Sequence, residues 1–287
     1  MPTRSTRNRE QTEAGLRKRF GRIRKKLLLW FRVHDRAYPW RQTQNWFHLL
    51  MAEMMLRRTR ADQVVPVYRD FVRDFPTPRH ALLHPAKELE KRFRSLGMHW
   101  RGQQLRSTIS YLHDHFAARQ PAVDSDFEEI PGVGPYSSAM LQSRLFRKRV
   151  AAVDANVARF IARLVGLAHH AESRRDREVV SLANRFVNSP RAADLNLAMI
   201  DFSALVCKAR TPLCAGCPLR SDCASGQISP ERMSRSGPDN TSRSAGREGN
   251  APASMSGHSI VTSTERPRVR RTPGARRKPE SKCRGST

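Results

Sequence analysis

The sequence contains 287 residues, of which 53 are Lys or Arg and 26 are Asp or Glu, so the formal net charge is +27. An ordinary solvated surface does not explain so large an excess of positive charge. Binding to a polyanionic partner explains it, because each phosphate neutralised by a cationic side chain releases counterions and adds affinity. The longest apolar run, residues 27–31, is too short to cross a bilayer, and the N-terminus lacks the apolar core of a signal peptide. We therefore expect a soluble protein with no membrane partner, located in the cytoplasm at the nucleoid.

Apolar residues recur at helical spacing along most of the chain. Residues 1–13 are polar and Arg-rich and are predicted to be a disordered arm, which a basic amphipathic helix follows at 14–33. The Tyr38-Pro39-Trp40 run breaks this helix, and a second helix is predicted to begin near Asn45. Further helices are predicted at residues 61–75, 85–95, 102–116, 136–146, 155–166, 177–187 and 195–206. Strand signals are scarce, which indicates an all-α fold.

The composition changes after Cys223 to Ser, Gly, Pro and Arg, with almost no large apolar side chain. Such a segment buries too little surface to offset its ordering entropy, so residues 225–287 are predicted to be a disordered basic tail. The charge of this tail suits a tether to DNA or a merely solubilising segment equally well. Cys283 lies in the tail and needs no functional role.

Four of the five cysteines, at positions 207, 214, 217 and 223, lie within seventeen residues of one another. Nothing in the chain suggests export, and four thiols in one short loop suit a single metal centre better than two disulfides. The gaps of six, two and five residues suit the corners of a [4Fe-4S] cube. Structural zinc also takes four thiolates, and the spacing alone does not distinguish a zinc site from an iron-sulfur site.

Two blocks of sequence, IPGVGPYSSA at residues 130–139 and VDANVAR at residues 153–159, favour the iron-sulfur cluster. They resemble the helix-hairpin-helix and the catalytic aspartate of the endonuclease III/MutY superfamily of DNA glycosylases. Members of that superfamily often carry a Cys-x6-Cys-x2-Cys-x5-Cys iron-sulfur loop. Further matching blocks stand in the same order at 38–41, 52–59 and 201–207, so the resemblance covers about residues 35–224.

The resemblance implies a two-lobed all-α fold with the active site in the cleft between the lobes. Residues 14–44 are predicted to be an N-terminal helix that packs with the cluster lobe. Residues 45–149 form a six-helix lobe with the hairpin, and residues 150–224 form the cluster lobe, in which Cys207, Cys214, Cys217 and Cys223 bind a [4Fe-4S] cluster. We expect a monomer that binds double-stranded DNA containing a mismatched or damaged base.

Asp154 and Glu53 are the carboxylates to which the resemblance assigns chemistry. Cleavage of an N-glycosidic bond builds positive charge on the sugar, which a fixed anion stabilises, and this role falls to Asp154. Glu53 is expected to contact the flipped base or its leaving group. Taken alone, Asp154 also looks like an ordinary helix N-cap, and Glu53 like one half of an i,i+4 ion pair with Arg57.

The residue after Gly134-Pro135 separates the activities within this superfamily. Bifunctional members have a lysine there, whose amine attacks the sugar and permits strand cleavage. This chain has Tyr136, so we expect a monofunctional enzyme that uses water. Thymine-releasing mismatch glycosylases resemble it in having tyrosine, which favours removal of thymine or uracil opposite guanine in base excision repair. The alternatives are an adenine glycosylase acting opposite guanine or oxidised guanine, and a noncatalytic DNA-binding protein on the same fold.

The remaining predicted site residues are DNA contacts. Gly132, Val133 and Gly134 can present backbone N–H groups to a phosphate, although a plain turn between helices has the same pattern. The others are Arg57 and Arg58 near the flipped base, His99 in a wedge loop, Asn156 and Arg159 beside Asp154, and Lys208 and Arg210 in the cluster loop.

Overall fold

The computed structural model describes residues 4–94, 96–97, 100–116, 119–122, 127–170 and 172–227, with side chains from residue 13 onward except at 100–102. All of the described residues belong to one compact unit within Met1–Gly237. The predicted disordered tail lies outside the described residues from position 228 onward. Its boundary is corrected slightly, because Ser225–Gln227 forms a short 3₁₀ turn whose Gly226 is buried.

The described residues form helices and turns without any strand, which confirms the all-α prediction. The helices are α1 Arg4–His34, α2 Pro39–Gln42, α3 Trp46–Met55, α4 Ala61–Asp74, α5 Pro78–Leu83, α6 Ala86–Arg94, α7 Trp100–Phe116, α8 Pro135–Phe146, α9 Ala155–Val165, α10 Arg177–Val187 and α11 Ala192–Leu205. Within this part of the chain, no helix is both long enough and apolar enough to span a bilayer.

One hydrophobic core is formed by the helices from α2 through α8. Its buried side chains include Phe47 on α3, Phe71 on α4, Phe93 on α6 and Leu141 on α8. Asn45 starts α3 by accepting hydrogen bonds at its side-chain oxygen from two backbone N–H groups of the first turn, as an N-cap residue does. This core holds the hairpin between α7 and α8 against α3.

A second hydrophobic core joins α1 to α9, α10 and α11. Phe20 and Leu27 of α1 pack with Phe160 of α9, Phe186 of α10 and Phe202 of α11. Helix α9 ends at Gly166, whose φ of +88° is readily adopted only by residues without a side chain. Asp154 therefore stands at one end of a helix whose two ends are both fixed.

Two sequence predictions about helix boundaries are wrong. The predicted disordered arm of residues 1–13 is mostly helical, because α1 already begins at Arg4. Residues 4–13 contain neither Pro nor Gly, so a helix anchored by its packed C-terminal half extends through them at little cost. The short helices α2 and α5 were also missed, since both begin at a proline that reads as a break in the sequence.

Candidate active site

A cleft opens between the two hydrophobic cores and is lined by residues of both. It encloses about 1270 Å³, counting the part that is open to solvent. Helix α3 contributes Glu53, the first turn of α8 contributes Tyr136, and the N-terminus of α9 contributes Asp154. The fold thus brings the three predicted catalytic residues to one cavity.

Asp154 is held in place by the start of α9. Its Oδ1 accepts hydrogen bonds from the backbone N–H of Asn156 at 2.9 Å and of Val157 at 2.7 Å. Its Oδ2 accepts a third from Nδ2 of Asn156 at 2.8 Å. Asp154 can therefore serve both as a helix N-cap and as the catalytic anion. Capping fixes the carboxylate at the wall of the cleft, and the helix dipole favours its negative charge there.

Glu53 has the most perturbed carboxyl group of the cleft. Burial raises its pKa to about 7, and the charge of Asp154 adds to this rise, while Arg144 and Arg41 oppose it. Glu53 is therefore partly protonated near neutral pH and can donate a proton as well as accept one. The alternative ion pair with Arg57 does not form, since that guanidinium is hydrogen-bonded to Gln104 and to the Gly132 carbonyl.

Tyr136 is close enough to Glu53 and Asp154 for the charges of both carboxyl groups to act on its phenol. Burial raises the pKa of its phenol well above the ordinary value, and the charges of Glu53 and Asp154 raise it further. The phenol is therefore neutral at physiological pH and acts as a flat, polar-tipped wall of the cavity. Among the described residues that line this cavity there is no lysine.

The hairpin contains the tight turn that its glycines predict. Gly132 adopts a φ of +85°, and a Cβ there would lie 3.0 Å from Cδ of Gln104. Gly134 directly precedes α8, and Pro135 is the first residue of that helix. The Arg57 guanidinium donates to the Gly132 carbonyl at 3.1 Å, so it fixes the turn from outside. The contact of this turn with DNA stays a prediction.

The other predicted DNA contacts occupy different surroundings. Arg58 is exposed and has a left-handed backbone, with a φ of 57°, in the turn that follows α3. Lys208 and Arg210 are exposed on the cysteine loop. His99 lies outside the described residues, so its predicted wedge role has no structural counterpart here.

The four cysteines of the predicted cluster surround a second cavity. It lies between α9, α11 and the cysteine loop, and its wall includes Phe160, Leu164 and Phe202. Burial raises the pKa of the Cys217 thiol to about 11, and the neighbouring sulfurs raise it further. Four thiols around one apolar cavity are a donor set that fits either an iron-sulfur cluster or a zinc ion.

A chain of hydrogen bonds runs from Asp154 to the cysteine loop. Asn156 donates to Asp154 and accepts at its Oδ1 from Arg159 Nη1 at 3.0 Å. The Arg159 Nη2 donates in turn to the carbonyls of Ser203 and Cys207, each at 3.1 Å. Arg159 was predicted to contact a DNA phosphate, but in this structure its N–H groups bind protein oxygens and tie α9 to the loop.

A buried ion pair between the two halves of the cleft was missed by sequence reasoning. Asp201 on α11 is fully buried and accepts hydrogen bonds from Arg41 on α2 at 2.7 Å and 2.9 Å, and from Arg36. Arg41 also pairs with the exposed Asp35. The only signal was that Arg41 and Asp201 each stand in a block matching the superfamily. Their pairing across 160 positions has no local signature.

Asn196 is a second missed residue, and it fixes the segment before Asp154. This asparagine is fully buried on α11. Its Oδ1 accepts from the Ala152 backbone N–H at 3.0 Å, and its Nδ2 donates to the Val150 carbonyl at 2.9 Å. Asn196 thus satisfies two backbone groups of the segment that ends two residues ahead of the candidate catalytic carboxylate, and the Ala151 N–H between them donates to Asn184 Oδ1 at 2.9 Å.

Comparison with known proteins gives this cleft a family context. No protein-family model matches the chain. It is 31% identical over 206 residues to the thymine-DNA glycosylase of Aeropyrum pernix, covering 70% of this chain and 92% of that protein. It is 31% identical over 200 residues to the adenine DNA glycosylase of Mycobacterium tuberculosis, covering 67% and 64%.

The fold comparison agrees with the sequence comparison. A solved structure of a thermostable thymine-DNA glycosylase superposes with a TM-score of 0.66 at 28% identity, covering 73% of this chain and 97% of that one. The predicted resemblance is confirmed, and with it the prediction of an enzyme. The chain therefore belongs to the endonuclease III/MutY superfamily of DNA glycosylases, which hydrolyse the N-glycosidic bond between a base and its deoxyribose.

Proposed function

We propose that this enzyme removes thymine or uracil opposite guanine from double-stranded DNA by hydrolysis and leaves an intact abasic site. The observation that carries the proposal is Tyr136. It occupies the position at which bifunctional members of the superfamily have an amine, and no lysine lines the described part of the cavity. Water is then the nucleophile, and the enzyme acts as a monomer on the nucleoid without cutting the strand.

Asp154 supplies the anion in this mechanism. As the base departs, positive charge develops on the sugar, and the Asp154 carboxylate stabilises that charge from a fixed position. The carboxylate needs little reorganisation, because α9 already holds both of its oxygens through three hydrogen bonds. Asn156 therefore acts as a positioning residue for Asp154.

Specificity for a pyrimidine rests on the walls of the cleft. The neutral Tyr136 ring gives a flipped base a flat surface for stacking. Uracil lacks only the 5-methyl group of thymine, so a cavity that holds thymine also holds uracil. The similarity to two thymine-DNA glycosylases supports this assignment.

A panel of duplexes containing T/G, U/G, A/G or A opposite oxidised G tests the base assignment. We expect abasic sites from T/G and U/G at rates well above those from either adenine duplex. Two observations favour adenine: the similarity to an adenine DNA glycosylase, and the raised pKa of Glu53, since a protonated carboxyl suits protonation of a purine nitrogen. Efficient release of adenine with none of thymine or uracil would establish that alternative instead.

The pH dependence of base release tests the role of Glu53. Its pKa of about 7 means that the neutral form, which can donate to an oxygen of the departing pyrimidine, is lost as pH rises through that value. Single-turnover rates should therefore fall above neutrality. Glu53→Gln keeps a donor that does not titrate and should flatten the profile. A wild-type rate that does not change with pH around this value would rule out the donor role.

The same raised pKa gives Glu53 a defined effect on stability. Its pKa rises from 4.5 in the unfolded chain to about 7 in the folded protein, so the folded state holds the proton more tightly. The stabilisation by this proton is fully present below pH 4.5 and is lost as pH rises through about 7.

We also propose that Cys207, Cys214, Cys217 and Cys223 hold a [4Fe-4S] cluster. The four cysteines border one cavity, and the gaps of six, two and five residues suit the four corners of a cube. The apolar wall of the cavity shields the cluster from solvent. Hydrolysis needs no electron transfer, so the cluster serves to shape the loop that carries Lys208 and Arg210.

Metal analysis of anaerobically purified protein tests the cluster. We expect brown protein with about four iron atoms and about four sulfides per chain. The surface variant Lys208→Ala should keep both, because its side chain is exposed and supplies no thiolate. Stoichiometric zinc without sulfide would contradict the proposal.

A further inference from the structure

An open groove rich in arginine lies on the second core, apart from the catalytic cleft. It encloses about 1100 Å³, counting the part open to solvent, and runs along α10. Its lining includes no Asp or Glu and combines four arginines, Arg149, Arg175, Arg177 and Arg185, with Ser181, Asn184, Asn188 and one apolar residue, Val180. It shares no lining residue with the cleft.

The positive charge of this groove is only partly compensated. Arg175 pairs with Glu172 and Arg185 pairs with Glu13, each at 3.1 Å. Arg149 and Arg177 are exposed, and neither forms an ion pair within the described part of the chain. Guanidinium groups present forked N–H donors that match phosphate oxygens, and the Asn and Ser side chains add further donors. The groove therefore suits a phosphodiester backbone.

The groove lies apart from the cleft that receives the flipped base. Tyr136 and the hairpin stand at the N-terminal end of α8, whereas Arg149 follows its C-terminal end. The 12 residues of α8 span about 18 Å, so the hairpin and the groove lie at opposite ends of that helix.

We propose that this groove is a second DNA-binding site, which takes the backbone of another duplex segment while the first is in the cleft. The inference requires only that the chain binds DNA and does not depend on which base it removes. The net charge of +27 agrees with it, because Lys and Arg side chains that neutralise phosphates supply most of the sequence-independent affinity for DNA. A second site of this kind would let the enzyme move from one duplex segment to another without first dissociating from DNA.

The dissociation rate of a labelled short duplex from the full-length enzyme tests the proposal. Transfer through a second site makes this rate rise with the concentration of unlabelled competitor duplex, whereas release from one site is independent of the competitor. The double variant Arg149→Glu/Arg177→Glu should lower that slope at least about fivefold. Single-turnover base release should stay within about twofold of wild type, because neither residue lines the cleft.

The matched control is Arg69→Glu/Arg79→Glu, which changes the net charge equally on exposed positions of α4 and α5 outside both cavities. It should keep the wild-type slope within about twofold. The milder Arg149→Gln/Arg177→Gln should give an intermediate slope, which guards against misfolding of the charge-reversed protein. A wild-type rate independent of competitor, an equal loss in the control, acceleration by RNA but not by DNA, or loss of base release in the groove variant would each overturn the proposal.

Discussion

Asp154→Asn is expected to lower the rate of base release on the order of 10³-fold while leaving DNA affinity intact or raised. The substitution keeps the side-chain oxygen that accepts from the N–H groups of Asn156 and Val157, so α9 remains capped. It removes the negative charge that stabilises the sugar in the transition state. It also removes a repulsion from DNA phosphates, which is why affinity does not fall. Single-turnover kinetics and duplex binding measure the two effects separately.

Asp176→Asn is the matched control for this variant. Asp176 caps α10 as Asp154 caps α9, with its Oδ1 accepting from the N–H groups of Glu178 at 2.8 Å and Val179 at 3.3 Å. It does not line the cleft. Both variants should unfold at similar temperatures, and only the Asp154 variant should lose activity. Activity close to wild type in Asp154→Asn would remove this carboxylate from the mechanism.

Asp201→Asn is expected to destabilise the protein by about 3–5 kcal/mol, because it removes the buried counter-charge of Arg36 and leaves the buried Arg41 only its pair with the exposed Asp35. Arg41 has only 8% of its side chain exposed, and the Asp201 side chain has none. The pair joins α2 to α11 across the cleft, so loss of its charge also loosens the cavity. Chemical denaturation of the purified variants measures the change in free energy of unfolding.

Asp194→Asn is the control for the buried pair, since it lies on the same helix. Its ion pair with Arg191 is at 2.8 Å, but about half of each side chain is exposed, at 43% and 50%. Exposed pairs contribute about 0–1 kcal/mol, so this variant should be nearly as stable as wild type. Equal stability of both variants would show that the buried pair adds nothing.

Much of the fold could be predicted from the sequence because apolar spacing and caps are local. The helices α4, α8, α9 and α10 lie within one or two residues of their predicted bounds. The N-terminal boundary could not be predicted, because residues 4–13 depend on the packed helix that follows them. The short helices at Pro39 and Pro78 look like turns until the rest of the chain packs around them.

The candidate site could not be predicted from local pattern alone. Asp154 and Asp176 have the same capping geometry, and only the cleft beside Asp154 separates them. The superfamily resemblance, and not spacing, pointed to Glu53 and Tyr136. The resemblance also predicted Arg57 and Arg159 as DNA contacts, which stays a prediction. Their hydrogen bonds to the carbonyls of Gly132 and Cys207, more than forty positions away, have no local signature.

Strand integrity on a T/G duplex tests most directly whether Tyr136 makes this a hydrolytic glycosylase. After complete base release the strand should remain whole, and breaks should appear only after alkali. Borohydride should trap no covalent complex with the wild-type enzyme, whereas Tyr136→Lys places an amine at the cleft and should gain trapping. A borohydride-trapped complex with the wild-type chain, or strand breaks before alkali, would show that an amine rather than water attacks the sugar.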